Sequence, residues 1–286
     1  MNPEQLIMLA IKASIMLLVF GLGLNAGWRD TTYLFRQPGL LLRSYLSMGI
    51  IMPLFAAAVA AFFDLHPAVE IAIIALALAP VPPILPGKQG KAGGTASYAI
   101  GLLVTAAVFS IVTVPVGVEL MGKAFAKDAH MTPGAVAMIV LTSILAPLAA
   151  GLAVNQLAPA FAERIARPVS LLATILLVAA ALPVLFTAWP AIVSMIGNGT
   201  LLALALFSIV GLTVGHWLGG DNEDNRTVLA LATSARHPAV ALAIAGTNFQ
   251  QQKAVLAVVL LHLLVGMVVS LPYVVWRKRR HARAAP

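Results

Sequence analysis

Apolar residues run through this chain in long, nearly unbroken stretches rather than at the spacing of a half-buried helix or strand. A helix needs about 20 such residues to cross about 30 Å of bilayer hydrocarbon. Nine stretches qualify, near residues 5–27, 40–63, 68–97, 98–118, 133–157, 168–189, 199–219, 226–248 and 253–276. Short connectors with turn-forming residues separate them: Gln37-Pro-Gly, Asp64-Leu-His-Pro, Thr132-Pro-Gly, Gly197-Asn-Gly and Gly219-Gly-Asp-Asn. None leaves room for a soluble domain, so residues 1–286 read as a single all-α membrane domain. The start, Met1-Asn-Pro-Glu, has no basic residue before the first apolar run, which predicts a retained span rather than a signal peptide.

Two of the nine runs are interrupted. The third opens with Pro67-Ala-Val-Glu-Ile-Ala and then meets Pro80, Pro82, Pro83 and Pro86, followed by Gly87. Each proline removes a backbone donor and blocks a helical bond. The eighth carries Thr233, Ser234, Arg236, His237 and Pro238 at its middle. Broken backbone at membrane depth survives only where protein shields it or where it lines a cavity. The two interruptions fall at matching distances from the ends of the fourth and ninth runs. Paired breaks of this kind predict an inverted-repeat transporter whose two broken helices cross near the midplane.

Composition agrees with the membrane class: 60% of the 286 residues are hydrophobic and 10% charged, against about 25% charged in soluble domains. The net charge of +8 is assigned to the cytoplasmic ends of spans rather than to nucleic acid. With the basic tail Arg277-Lys-Arg-Arg-His-Ala-Arg inside, nine spans place 13 basic residues on the cytoplasmic side; Lys123, Lys127 and Lys253 fall outside, and Lys12 and Arg236 lie within spans. The expectation is therefore a multi-pass protein of the plasma (inner) membrane, with its N-terminus outside and its C-terminus cytoplasmic. The absence of cysteine removes disulfides and thiolate metal sites.

Arg236 is the sharpest single residue, because a guanidinium at mid-span carries an insertion penalty of about 2.5–3.5 kcal/mol. It suits bidentate binding of a carboxylate; the competing reading is a buried structural ion pair. Arg236, His237, Thr233, Ser234, Pro82, Pro83 and Pro238 form the candidate site for a substrate or ion, with no metal and no catalytic group. An imidazole can titrate between about pH 5 and 8, although a neutral His237 beside a kink fits as well. His216 and His262 read as packing residues, Lys12 as a snorkelling one, and Glu70 as an acid suited to a helix N-terminus.

Leu17-Leu-Val-Phe-Gly-Leu-Gly-Leu, Phe35-Arg-Gln-Pro, Met52-Pro, Pro67-Ala-Val-Glu-Ile-Ala and Ala235-Arg-His-Pro-Ala-Val-Ala-Leu-Ala-Ile-Ala together resemble the bile acid:sodium symporter family over most of the chain. The resemblance implies a core domain (about 40–118 and 199–276) and a panel domain (about 5–27 and 133–189). It is similar to members lacking the first helix. It also implies sodium as a possible co-substrate. The family's Glu and Gln on the second broken helix correspond here to Ala232 and Arg236. Its polar Gly-Gly-Thr-Ala-Ser-Asn run corresponds to Pro82-Pro-Ile-Leu-Pro-Gly. A hard cation prefers several oxygens including a carboxylate, and that carboxylate is missing, so sodium coupling stays open. Arsenite exporters, which share the wider superfamily, usually carry a Cys on the first broken helix, and this chain has none.

The function expected is secondary active transport of a small organic anion, with the lipid bilayer as the other partner and no cofactor. The alternative is a membrane enzyme or a sensory membrane module. No HExxH, Gly-x-Ser-x-Gly or mid-span carboxylate pair supports catalysis, and no Gly-x-x-x-x-Gly-Lys loop supports direct ATP drive.

Overall fold

The computed structural model describes residues 3–250 and 254–284, so Lys253 lies outside the described residues. Helices are the only regular secondary structure among these residues, with no strand. In chain order the helices are α1 (Pro3–Leu24), the short α2 (Trp28–Thr31), α3 (Pro38–Tyr45), α4 (Met52–Phe62), α5 (Pro67–Leu78), α6 (Leu85–Lys91), α7 (Ala96–Ala124), α8 (Pro133–Val140), α9 (Ala146–Leu157), α10 (Pro159–Ser194), α11 (Thr200–Leu218), α12 (Glu223–Ser234), α13 (Pro238–Asn248) and α14 (Ala254–Ala284).

Two expected spans are continuous but carry a widened π-helical turn: Leu46–Ile51 joins α3 to α4, and Leu141–Leu145 joins α8 to α9. Each ends just before a proline, Pro53 or Pro147. A proline inside a helix lacks its N–H and its ring presses on the carbonyl four residues back; opening the preceding turn relieves that pressure. α10 instead runs unbroken through Pro168, Pro183 and Pro190, and its 36 residues exceed the expected 168–189 at both ends.

Among the described residues, eight helical stretches are long and apolar enough to cross a membrane, with α3–α4, α8–α9 and α12–α13 each counted as one. The other expected crossing is the divided α5–α6 stretch, whose apolar helix α5 spans only about 18 Å at 1.5 Å per residue. The divided Glu223–Asn248 stretch is the best shielded of the eight, with 72% of the residues in its apolar 18-residue window buried, against 11% in α10. That contrast follows from polarity: interrupted backbone must face protein, while an uninterrupted apolar helix can face lipid.

α1 packs on α9 and α10, close enough at Gly23 that an added Cβ would lie 2.5 Å from the Leu148 carbonyl. Small residues at such crossings let membrane helices approach backbone to backbone. The largest apolar core joins α3–α8 with α11–α14 and takes in Ile192 near the end of α10. Two smaller clusters lie beside α1, at Leu148 and Leu152 and at Ala162 and Ala166. Connecting segments meet at two ends. At one end Ser97 donates to Asp30, Thr95 donates to Asn225 at 2.8 Å, and Arg277 binds Glu223. At the other the His130 N–H donates to Asn248 at 2.7 Å.

Candidate functional site

The first break follows from Pro80, which pushes the residue before it out of the helical region. Ala79 is accordingly extended (φ −69°, ψ 147°) and ends α5. In the second break Ala235 (φ −108°, ψ 139°) and His237 (φ −71°, ψ 106°) are extended, His237 again standing before a proline. Pro238 then opens α13 at a position where a missing N–H is harmless.

The two breaks are bonded to each other. The His237 backbone N–H donates to the Pro80 carbonyl at 2.8 Å. From the neighbouring residue, Arg236 Nη1 donates to the Ala79 carbonyl at 3.4 Å and Nη2 to the Met48 carbonyl at 3.2 Å. Met48 belongs to the π-helical turn between α3 and α4. That turn is tied to α12 a second time, because Ser47 Oγ and Thr233 Oγ1 share a hydrogen bond of 2.6 Å. Three segments therefore converge on one guanidinium.

Arg236 is 2% exposed, yet among the described residues no carboxylate pairs with it. Its two carbonyl bonds are longer than the about 2.7–2.9 Å typical of charge-assisted bonds, and Nε has no partner. A guanidinium offers five donors, so most of this one's capacity is unspent. It opens on a cavity of ≈ 60 Å³, whose other polar lining is Ser44, Tyr45, Thr105, Ser110 and Thr113. The buried Thr105 hydroxyl also lacks a partner. The space holds a few waters, each needing about 10–15 Å³, or one acidic head group. A second cavity, ≈ 310 Å³ and mainly apolar, lies along α5 and α7 with Glu70 and Lys127 in its wall.

The structure thus brings Arg236, His237 and Thr233 to the crossing. His237 is 1% exposed and neither ring nitrogen has a partner. Ser234 is turned back onto its own helix, its Oγ donating to the Leu231 carbonyl at 3.1 Å. Pro82 and Pro83 are buried further along the first break, where the Pro82 carbonyl caps the start of α6 by accepting from Leu85 at 3.0 Å; the residues that reach Arg236 and His237 are Ala79 and Pro80. Pro238 acts as a helix start. Ala79, Pro80, Met48, Ser47 and Thr105 were missed. The first proline of the run marked the first two, and Ser44 and Ser47, three residues apart on one helical face, were a usable polar signal. Nothing in a sequence marks a contributing Met48 carbonyl. His262 packs edge-on to Phe207, and the His216 ring shares a 2.8 Å hydrogen bond with Tyr273. His216 is thus hydrogen-bonded between α11 and α14, while the buried Nδ1 of His262 has no partner.

No curated protein matches the chain. The profile of the Sodium Bile acid symporter family matches residues 13–195, from α1 through α10. The match includes the first break and ends before the second. Members of that family are transporters, and the apolar helices make this chain a multi-pass integral membrane protein. Since the matched region exceeds half of its length, the chain belongs to the sodium bile acid symporter family.

Proposed function

We propose that this protein is a secondary transporter of a small organic anion in which Arg236 takes the place of a coupling cation. The observation that carries the reading is a buried guanidinium without an acidic partner, resting on backbone carbonyls where two broken helices meet. Carbonyl oxygens at helix breaks are ligands suited to a hard cation; here a tethered cation occupies them. Its unspent donors and the positive end of α13 both favour an incoming carboxylate. Thr233 holds the π-helical turn against α12 and so fixes the carbonyl of Met48. His237 adds two unpartnered ring nitrogens.

On this reading the α5–α6 stretch completes a ninth crossing, and the two divided stretches are the centres of an inverted repeat. The small clusters that join α1 to α9 and to α10 support a panel domain (about 5–27 and 133–189) beside a core (about 40–118 and 199–276), with Val136, Val140 and Ile192 packed into the main apolar core. The bonding of the basic tail to Glu223 at the start of α12 supports grouping those segments on the cytoplasmic side of a plasma (inner) membrane.

Counterflow of labelled carboxylates in proteoliposomes tests the proposal. Exchange is expected with wild-type protein whether or not a sodium gradient is present, and is expected to vanish with Arg236→Ala. Uptake that requires sodium and survives Arg236→Ala overturns it.

A further inference from the structure

The two cavities share a wall. Leu78 lines both the small cavity at Arg236 and the 310 Å³ cavity, and α7 runs along both; α3 and the π-helical turn close the small one, and the rest of α5 the large one. On α7 the small cavity is lined by residues up to Thr113 and the large one begins at Val118. Between them stands Gly117, where an added Cβ would meet Leu78 Cδ2 at 2.5 Å. The Leu78 side chain therefore fills the notch that Gly117 leaves in α7. Pro115, two residues earlier, removes a helical bond from α7 at the same level.

We infer that the large cavity is a vestibule for the transported anion and that Leu78 is the partition between it and Arg236. The inference rests on the anion reading of Arg236 for its occupant, but not for the partition itself. The vestibule volume lies at the low end of the about 300–1,000 Å³ of ligand pockets. Its walls are mainly apolar, including Ile74 and Phe125, and Lys127 and Glu70 are its charged residues. A single negative charge on an apolar body pairs with Lys127 and buries its body on these walls, whereas a second negative charge has no further cation in the lining to pair with and adds repulsion from Glu70. Leu78 is the last residue of α5, and the next carbonyl is the one Arg236 holds. A carboxylate that draws Arg236 away from Ala79 loosens the helix end that carries Leu78, leaving the His237 N–H bond to the Pro80 carbonyl as its remaining tie to the second break. Arrival of the ligand and opening of the partition are thereby linked through one hydrogen bond.

The natural absence of cysteine allows a clean test. Thr105→Cys places a thiol in the small cavity, and its reaction with a maleimide is followed on detergent-purified full-length protein. Replacing Leu78 by Ala is expected to speed labelling about tenfold, as removal of a lid does, with Leu78→Val intermediate in case the larger truncation impairs folding. Ile74→Trp, which fills the vestibule, is expected to cancel the gain, and Gly117→Ala, which puts a Cβ into the notch that seats Leu78, is expected to speed labelling only while Leu78 is present. An unchanged rate in both Leu78 variants, or a gain that survives Ile74→Trp, overturns the partition. Octanoate is expected to protect the thiol in the Leu78→Ala protein and succinate not to. Equal protection by both, or none by octanoate, overturns the occupant. Labelling needs no transport, so loss of the partition is read separately from loss of counterflow.

Discussion

Two arginines of this protein are almost fully buried, and they live in opposite surroundings. Arg277, 1% exposed, sits near the end of α14 with its charge answered: Nη1 donates to Glu223 Oε2 at 2.7 Å, Nη2 to the Glu223 carbonyl at 2.8 Å, and Nε to Thr227 Oγ1 at 2.7 Å. Asp224 adds a carboxylate at 3.7 Å. Asn222 caps α12 and sets Glu223 and Asp224 in its first turn, where acids also suit the helix dipole. Arg236, just beyond the other end of α12, has two long bonds to carbonyls and an empty-handed Nε. A buried charge that is paired and saturated fastens a structure; a buried charge left short of partners is a place where something else binds. Burial alone does not identify a site; what sets Arg236 apart is a buried charge with unspent donors on the wall of a cavity.

The largest expected effect is on stability at Arg277. Arg277→Ala removes the buried tie between α14 and α12, leaving the Thr227 hydroxyl bonded to the Glu223 carbonyl at 3.1 Å and Arg280 as the remaining cation on Glu223. Since Glu223 is half-exposed and can be rehydrated, the expected loss is about 2–4 kcal/mol. It shows as a lower unfolding temperature of the purified protein. Arg236→Met should behave in the reverse way. It removes a desolvated charge together with two weak bonds, so stability is expected to change by less than about 1 kcal/mol. Anion exchange is expected to fall about ten- to a hundredfold, as loss of a charged hydrogen-bond pair implies. A protein that unfolds as readily with Arg236→Met as with Arg277→Ala would erase the distinction between the two arginines.

That distinction was only half legible in the sequence. Arg236 stood out because a mid-span guanidinium followed by His237 and Pro238 has no soluble-protein alternative. Arg277 read as one of five cationic tail residues marking a membrane side, since its partner Glu223 lies 54 residues away and no local period reports such a contact. The all-helical, multi-pass architecture was legible because bilayer thickness sets run length. Break positions were coarser. A proline distorts the residue before it, so the working carbonyls belong to Ala79 and Pro80 rather than to Pro82 and Pro83. The widened turns before Pro53 and Pro147 had a signal in those prolines, but proline in a membrane helix is equally compatible with the straight course α10 takes through three of them.

α12 joins the two arginines, with the partners of Arg277 at its start and Arg236 just past its end. Gly215 of α11 packs directly on it; an added Cβ would lie 2.5 Å from the Leu229 carbonyl and 2.6 Å from the Ala230 Cα. Backbone cannot yield as a side-chain tip does, so Gly215→Ala is expected to destabilise by about 1–3 kcal/mol and, by displacing α12, to slow exchange as well. A stability loss with exchange per folded molecule unchanged would show that the two ends of α12 act independently.

The smallest effect sharpens the picture of how Arg236 is held. Ser47 and Thr233 are both fully buried and bond only through their hydroxyls across 2.6 Å, joining the π-helical turn to α12 beside the Met48 carbonyl. Truncating one leaves the other hydroxyl buried and unpaired, so Ser47→Ala and Thr233→Val are each expected to lower stability by about 1 kcal/mol. The double variant removes both polar groups and is expected to lose clearly less than the sum of the singles, a coupling of about 0.5–1.5 kcal/mol in a thermal or denaturant double-mutant cycle. Exchange is expected to weaken in all three, since the turn that presents Met48 to the guanidinium is freed on one side, but to persist because Arg236 keeps its own bonds to both segments. Strict additivity would mean that the hydroxyl pair contributes nothing, and that Arg236 alone ties the π-helical turn to the break, making the guanidinium part of the scaffold as Arg277 is.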